Sequence, residues 1–203
     1  MSGILVISGP SGSGKSSLMH KMMEEIGDTY FSVSTTTREK REGEVDGRDY
    51  FFVSRDEFEK DIEEGYFLEW AKVHDNYYGT SIKQIEKKLQ EGKTVVLDID
   101  VQGYKIAKEK LGDVITSVFI TTPNQKTLRE RLVKRGTDSK EIIEKRVKNA
   151  LAEMREINLY DFFIINDDFE TALDSLVSIV KASKSKTSSF DLQNFVKSWE
   201  SKE

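Results

Sequence analysis

Short apolar runs alternate with helical stripes along most of this chain. That alternation predicts an α/β fold with a largely parallel sheet and crossover helices. The predicted core strands are Ile4–Ser8, Phe31–Ser34, Thr94–Ile99, Ser117–Ile120 and Phe162–Ile165. After the first of them, Leu18, Met22 and Ile26 recur at helical spacing. Ser54 with Glu57 reads as a capping box ahead of Phe58 and Ile62. Thr122, Pro123 and Gln125 read as N-cap, first-turn proline and N3 partner before Leu128 and Leu132. Asp138 with Glu141 opens another helix, with the stripe Ile143, Val147, Leu151 and Met154. Gly92 reads as a C-cap.

Two stretches break the alternation. Residues 34–83 are rich in aromatic, Thr and Gly residues and hold strand-like pieces such as Tyr50–Val53 and Phe67–Val73, which predicts a separate mixed-β insert. Residues 126–156 are dense in Arg and Lys, which predicts a helical lid, although a solvated helical face accounts for any one of these charges equally well. The core is then residues 1–33, 84–125 and 157–183. From Ser183 the chain reads Ser-Lys-Ser-Lys-Thr-Ser-Ser, a flexible joint. Phe190, Leu192, Phe195, Val196 and Trp199 then predict a short amphipathic helix within the tail 184–203, covering the core or a partner subunit.

Composition narrows the functional classes. The 203 residues are 37% hydrophobic and 33% charged, enough for one core with a well-solvated surface. A net charge of -5 argues against general nucleic-acid or membrane-surface binding, so an anionic substrate has to be met by local basic clusters. Without cysteine, disulfides and thiolate chemistry are excluded. No apolar run approaches the ~20 residues of a membrane span, and no basic leader precedes the first strand; a cytoplasmic location is expected. Monomer and homo-oligomer both stay open.

Between the first strand and the first helix stand Gly9, Pro10, Ser11, Gly12, Ser13, Gly14, Lys15 and Ser16, a full match to G-x-x-x-x-G-K-[ST], followed by Ser17. Strand, glycine loop and helix are the context in which this pattern forms a phosphate cradle, or P-loop. Glycines let the backbone turn its N–H groups inward, and the helix adds its positive end. Lys15 then reaches the β- and γ-phosphates of ATP, and the Ser16 hydroxyl ligates Mg²⁺.

Asp98 and Asp100 end an apolar strand, and period-two alternation places them on one side of the chain. Ligands of doubly wound sheets sit beyond the carboxyl ends of strands, so Asp98 is placed to hold a Mg²⁺-bound water and Asp100 to orient an arginine or contact a second substrate. For either one, a helix N-cap is the alternative. In the insert, Arg38 and Arg41 with Tyr50 suit a phosphate monoester, against the alternative of incidental surface charge. Glu69 lies in an apolar run and needs either a partner or a ligand. A carboxylate can accept both N1–H and N2–H of guanine, whereas adenine offers a bare N1 acceptor; a structural pair with an arginine is the other reading. Tyr78 and Thr80 add a phenol and a hydroxyl. His20 and His74 read as surface or packing residues.

Taken together, these segments resemble the guanylate kinases, from Ile4 to about Leu176. The resemblance rests on the loop Gly9–Ser17, Ser34-Thr-Thr-Thr-Arg38, Arg41-Glu-Gly43-Glu, Gly47-Arg-Asp-Tyr50, Glu69-Trp70 and Tyr77-Tyr78-Gly79-Thr80. It continues through Leu97-Asp-Ile-Asp-Val-Gln-Gly103, Arg131, Arg135-Gly-Thr, Arg146 and Asn166-Asp-Asp168. It implies a three-layer P-loop core, a GMP-binding insert and a lid. It also implies guanine contacts at Ser34, Glu69 and Thr80, and GMP-phosphate contacts at Arg38, Arg41, Tyr50 and Tyr78. Lid arginines fall at Arg131, Arg135 and Arg146, and Asn166 with Asp168 fall near the adenine. Lys40 stands where the family usually has proline, which removes no ligand. The implied reaction is ATP-dependent phosphorylation of GMP, and of dGMP, with Mg²⁺. An inactive guanylate-kinase-like binding module and a related ribosyl-phosphate kinase are the rivals. The first predicts a degraded phosphate loop or missing GMP ligands, and the second has no need of Glu69 with Ser34 and Thr80.

Overall fold

A strand that is apolar at every position must be covered on both faces, and β1 (Ile4–Ser8) is buried throughout. The computed structural model describes residues 3–73, 75–136 and 138–200; the turn expected at His74 lies outside them. β1 is the centre of a five-stranded parallel sheet in the order β2-β7-β1-β8-β9, where β2 is Thr29–Phe31, β7 Thr94–Asp98, β8 Ile115–Thr121 and β9 Phe162–Ile165. Period-two alternation splits the core into two layers. Leu5, Ile7, Val118 and Ile120 face α1 (Lys15–Ile26) and α7 (Phe169–Ser183), whose Leu18, Met22, Leu173 and Leu176 fill that side. Ile4, Val6, Leu97 and Phe119 face the other way, onto Ile85 of α3 (Ile82–Gln90) and Tyr104 of α4 (Val101–Leu111). The Tyr104 ring stacks on Tyr160, with ring centroids 4.2 Å apart.

The insert builds its own sheet, β4-β3-β6-β5, with β3 Thr35–Thr36, β4 Phe51–Phe52, β5 Phe67–Val73 and β6 Asn76–Ser81. β3 and β4 run parallel, and the other pairs antiparallel. Its small core is aromatic: fully buried Phe58 of α2 (Arg55–Glu63) stacks on Phe67 at 4.1 Å and on Tyr77 at 5.3 Å. The capping box is as expected, with Ser54 Oγ accepting from the Glu57 N–H at 3.2 Å. α5 (Gln125–Arg135) and α6 (Lys140–Met154) pair through Leu128, Leu132, Ile143, Val147 and Ala150.

Several sequence-based boundaries are corrected. The second core strand is Thr29–Phe31, not Phe31–Ser34; the Ser32 N–H makes the last bond to β7, at the Val96 carbonyl. The strand-like piece Tyr50–Val53 contracts to Phe51–Phe52. α5 is capped by Asn124, which accepts from the Thr127 N–H at 2.9 Å and displaces Thr122 from that role. α6 is capped by Ser139, not Asp138, which instead accepts from Arg146. On α6 the buried third position is Ala150, while Leu151 is exposed. The tail does form a helix, α8 (Leu192–Glu200), and none of its residues is buried.

Candidate active site

The loop from Gly9 to Gly14 joins β1 to α1, and its conformation demands glycine at two places. At Gly9 (φ +143°) a Cβ would stand 2.0 Å from the Ile120 carbonyl oxygen, and at Gly14 (φ +89°) 2.3 Å from Asn166 Nδ2. Gly14 is the N-cap of α1 and supplies no side chain, so the first-turn N–H groups lack a side-chain acceptor. Such a helix start favours an anion. Parallel pairing aligns Ile7 with Asp98, which brings the end of β7 to the mouth of the loop. There Lys15 Nζ lies 3.7 Å from Asp98 Oδ1. Ser8 fixes the neighbouring backbone by donating its hydroxyl to the Ile99 carbonyl at 2.7 Å.

Cations from the helical pair α5–α6 reach the same loop. Arg131 donates to the Ser13 carbonyl at 3.3 Å and to the Asn166 carbonyl at 2.9 Å. Arg146 bridges Ser11 Oγ and Asp138 Oδ1. Arg135 lies exposed in the last turn of α5 and makes no ion pair among the described residues. Buried Asn166 donates Nδ2 to the Ser13 carbonyl at 2.7 Å, bracing the loop from behind. Two carboxylates expected at the site have structural duties. Asp100 caps α4, accepting from the Gly103 N–H at 2.8 Å, and Asp168 caps α7, accepting from the Thr171 N–H at 2.9 Å.

The insert contributes a second cluster of basic and phenolic side chains. The Arg38 guanidinium lies 5.4 Å from the centre of the Tyr50 ring, and Tyr50 meets Tyr78 edge-on at 5.9 Å. Exposed Arg41 stands three residues further on. Sequence reasoning assigned no role to Glu44, yet it joins the two arginines. Its Oε1 accepts from Arg38 Nη2 at 2.6 Å and its Oε2 from the Arg41 backbone N–H at 2.8 Å. Those bonds hold its carboxyl below the usual carboxylate range, and Arg38 is raised above its own in return. The only signal available was an acid inside the Arg-x-x-Arg-x-x-Glu spacing.

Ser34, Tyr50, Glu69, Thr80 and Asp98 line one cavity of about 250 Å³ between insert and core. Strand pairing sets Glu69 opposite Thr80, and the Thr80 hydroxyl donates to Glu69 Oε1 at 2.6 Å. Glu69 makes no ion pair among the described residues, so the structural Arg–Glu reading is not what holds it. A larger recess of about 490 Å³ adjoins Glu69 on its other side, lined by Trp70, Asp100 and Ile106 among others. Sequence reasoning also passed over Glu153 of α6. It lies half-buried within the field of Lys15 and Asp100, and burial raises its carboxyl pKa while Lys15 pulls it back. Nothing in the sequence distinguished it from the other acids of that helix.

A glycine-loop α/β core carrying a separate mixed-β insert is the architecture of a nucleotide-handling protein, and comparison with known proteins narrows the class. Residues 1–183 match the family model described as guanylate kinase. A guanylate kinase from Wolinella succinogenes is 54% identical over 200 residues, which cover 98% of this chain and 93% of the relative. One from Helicobacter pylori is 52% identical over 196 residues, covering 97% and 95%. The crystal structure of guanylate kinase from Anaplasma phagocytophilum superposes with a TM-score of 0.66 at 34% identity, covering 92% of this chain and 88% of that one. The chain belongs to the guanylate kinase family.

Proposed function

We propose that this chain transfers the γ-phosphoryl group of ATP to GMP, giving ADP and GDP. The observation that carries the reading is the line of three chemistries across one cleft: the glycine loop with Lys15, Asp98 beside it, and the Ser34–Glu69–Thr80 cavity flanked by Arg38 and Tyr50. ATP phosphates occupy the loop Gly9–Ser17, with the adenine toward Asn166 and Asp168. The GMP phosphate is held by Arg38, Arg41, Tyr50 and Tyr78. The guanine edge is read by Glu69, with Ser34 and Thr80 in support.

A GMP phosphate oxygen attacks the γ-phosphorus in line, and the bond to the β–γ bridging oxygen breaks. The attacking monoester is largely dianionic at neutral pH, since its second pKa is about 6, so no general base is needed. The protein's part is therefore positioning and charge stabilisation. Lys15, Arg131, Arg135 and Arg146 supply positive charge around the transferring group. Closure of the insert (34–83) and the lid (126–156) over the core excludes water that would otherwise hydrolyse ATP.

Among the described residues no group of three His, Cys, Asp or Glu is gathered for a metal. A Mg²⁺ ion carried on nucleotide phosphates needs only one or two protein oxygens, and exposed Ser16 with Asp98 provides that number. When bound, the ion neutralises charge on the transferring phosphoryl group. No helix among the described residues is long and apolar enough to cross a membrane. A coupled assay of ADP formation from ATP with GMP, AMP, UMP and CMP tests the reading. Turnover restricted to GMP supports it, and equal turnover of AMP overturns it.

A further inference from the structure

The strand that carries Glu69 is irregular at one point. Pairing sets Phe67 opposite Ser81 and Glu69 opposite Thr80, so Leu68 is an extra residue, a β-bulge, on β5. Strict alternation would return Glu69 to the face of Phe67, whose ring stacks on Phe58 in the insert core. Trp70 takes that face instead, edge-on to Tyr77 at 5.7 Å. Phe67 and Leu68 are both buried, but in different places: Leu68 shares the core cluster of Ile4, Val6 and Leu97. Glu69 is thereby freed to line the cavity with Ser34 and Thr80. Gly79, opposite Trp70, leaves room for this close packing. A Cβ there would stand 2.8 Å from the Glu69 carbonyl oxygen and from Phe67 Cδ1. A bulge interrupts the ladder, and the backbone groups beside it need other partners. The Phe67 carbonyl accepts from Lys110 Nζ at 2.7 Å, and Lys110 stands in the last turn of α4.

We infer, on the reading of Glu69 as the acceptor of the guanine edge, that Lys110 is a positioning residue for guanine recognition: its bond to the Phe67 carbonyl pins the bulge that aims Glu69 into the cavity. Lys110 lines the recess of about 490 Å³ that adjoins Glu69, not the cavity that Glu69 shares with Ser34 and Thr80, so it acts through the strand rather than on the base. A charged donor makes one of the stronger hydrogen bonds to a carbonyl. It also joins the two units, since Lys110 belongs to the core and Phe67 to the insert. The placement of the charge matters. A cation paired with the Glu69 carboxylate would compete with the N1–H and N2–H donors of guanine. A cation on the backbone carbonyl two residues earlier fixes the strand and leaves the carboxylate free for the ligand, with Thr80 alone donating to Oε1. Accepting two donors from one base edge sets a fixed geometry, so a small rotation of β5 at the bulge costs discrimination before it costs stability.

Steady-state kinetics with GMP and IMP test this, because hypoxanthine keeps N1–H and O6 but lacks the N2 amino group. Lys110→Met keeps an unbranched stem and removes the donor. The ratio of kcat/KM for GMP to that for IMP is expected to fall between about threefold and tenfold, up to the worth of one charged hydrogen bond, with KM for ATP unchanged. Lys110→Arg retains a donor and is expected to restore most of the ratio. In a Glu69→Gln background, Lys110→Met is expected to lower the ratio no further, because Lys110 acts through Glu69. An unchanged GMP/IMP ratio in the folded Lys110→Met enzyme overturns the inference. So does a loss that adds in full to that of Glu69→Gln, which would give Lys110 a role independent of Glu69. A ratio that Glu69→Gln alone leaves intact overturns the reading of Glu69 itself, and the inference with it; that outcome is seen without any change at Lys110.

Discussion

Thr80 donates its hydroxyl to Glu69 at 2.6 Å across the β5–β6 pair, so this carboxylate of the insert cavity is already oriented by its neighbour. In the proposed pose Glu69 accepts from N1–H and N2–H of guanine. Sites built on such polar pairing reject a mismatched analogue by roughly 10⁴-fold, because mismatch leaves buried groups unpaired. Glu69→Gln keeps the size but turns an NH₂ donor toward a donor edge. A large fall in kcat/KM for GMP is expected, with KM for ATP little changed and discrimination against AMP reduced. Steady-state kinetics with both nucleotides measure it, and unaltered discrimination in the folded variant would return Glu69 to a structural role.

Lys15→Met is expected to abolish most phosphoryl transfer while the fold persists. Lys15 is partly exposed at the loop mouth and contributes no core packing, so its loss leaves the five-stranded sheet intact. Removing one preorganised charge-stabilising group typically costs on the order of 10²-fold or more in kcat. Near-normal turnover with an unchanged circular-dichroism spectrum would remove the glycine loop from the chemistry.

Glu44 sets up two opposed effects. Its carboxylate repels an incoming phosphate dianion, but it also holds the Arg38 guanidinium and the Arg41 backbone in place. Preorganisation dominates, because without the brace the long Arg38 side chain and the backbone at Arg41 must be ordered at the moment of binding. Glu44→Gln is therefore expected to raise KM for GMP several-fold with KM for ATP unchanged, and Glu44→Asp to show a smaller rise. A fall in KM for GMP would mean that repulsion of the phosphate outweighs the bracing of the arginines.

What the sequence made legible was whatever repeats or sits in a tight motif. The buried strands read correctly because burial on both faces forces continuous apolar runs, and the glycine loop because its backbone excludes side chains at Gly9 and Gly14. Helix starts were less legible. Asn124 and Ser139 displaced Thr122 and Asp138 because several residues near each start are competent caps, and only the path of the preceding chain decides among them. Asp100 and Asp168 show the same ambiguity from the other side, since a carboxylate at a strand end serves equally as ligand or cap. Glu44 and Glu153 were hidden because their meaning comes from neighbours brought together by folding.

Glu153 yields a test that does not depend on activity. Burial among Lys15, Asp100 and Tyr160 raises its carboxyl pKa above the unfolded value, with Lys15 offsetting part of the shift. A carboxyl whose folded pKa is raised binds its proton more tightly in the native state. Its favourable contribution is complete below the unfolded pKa and is lost as pH rises through the folded pKa. Above that window the native protein holds an ionised group that is better solvated in the unfolded chain. Glu153→Gln replaces it with a permanently neutral group of the same size. The variant is expected to melt at a higher temperature than wild type at pH 7 to 8, with the difference closing as pH falls below the ordinary glutamate value of about 4.3. Thermal denaturation across that range measures the gap. A variant less stable at pH 8 would mean that the attraction between Lys15 and Glu153 outweighs the desolvation of the carboxylate.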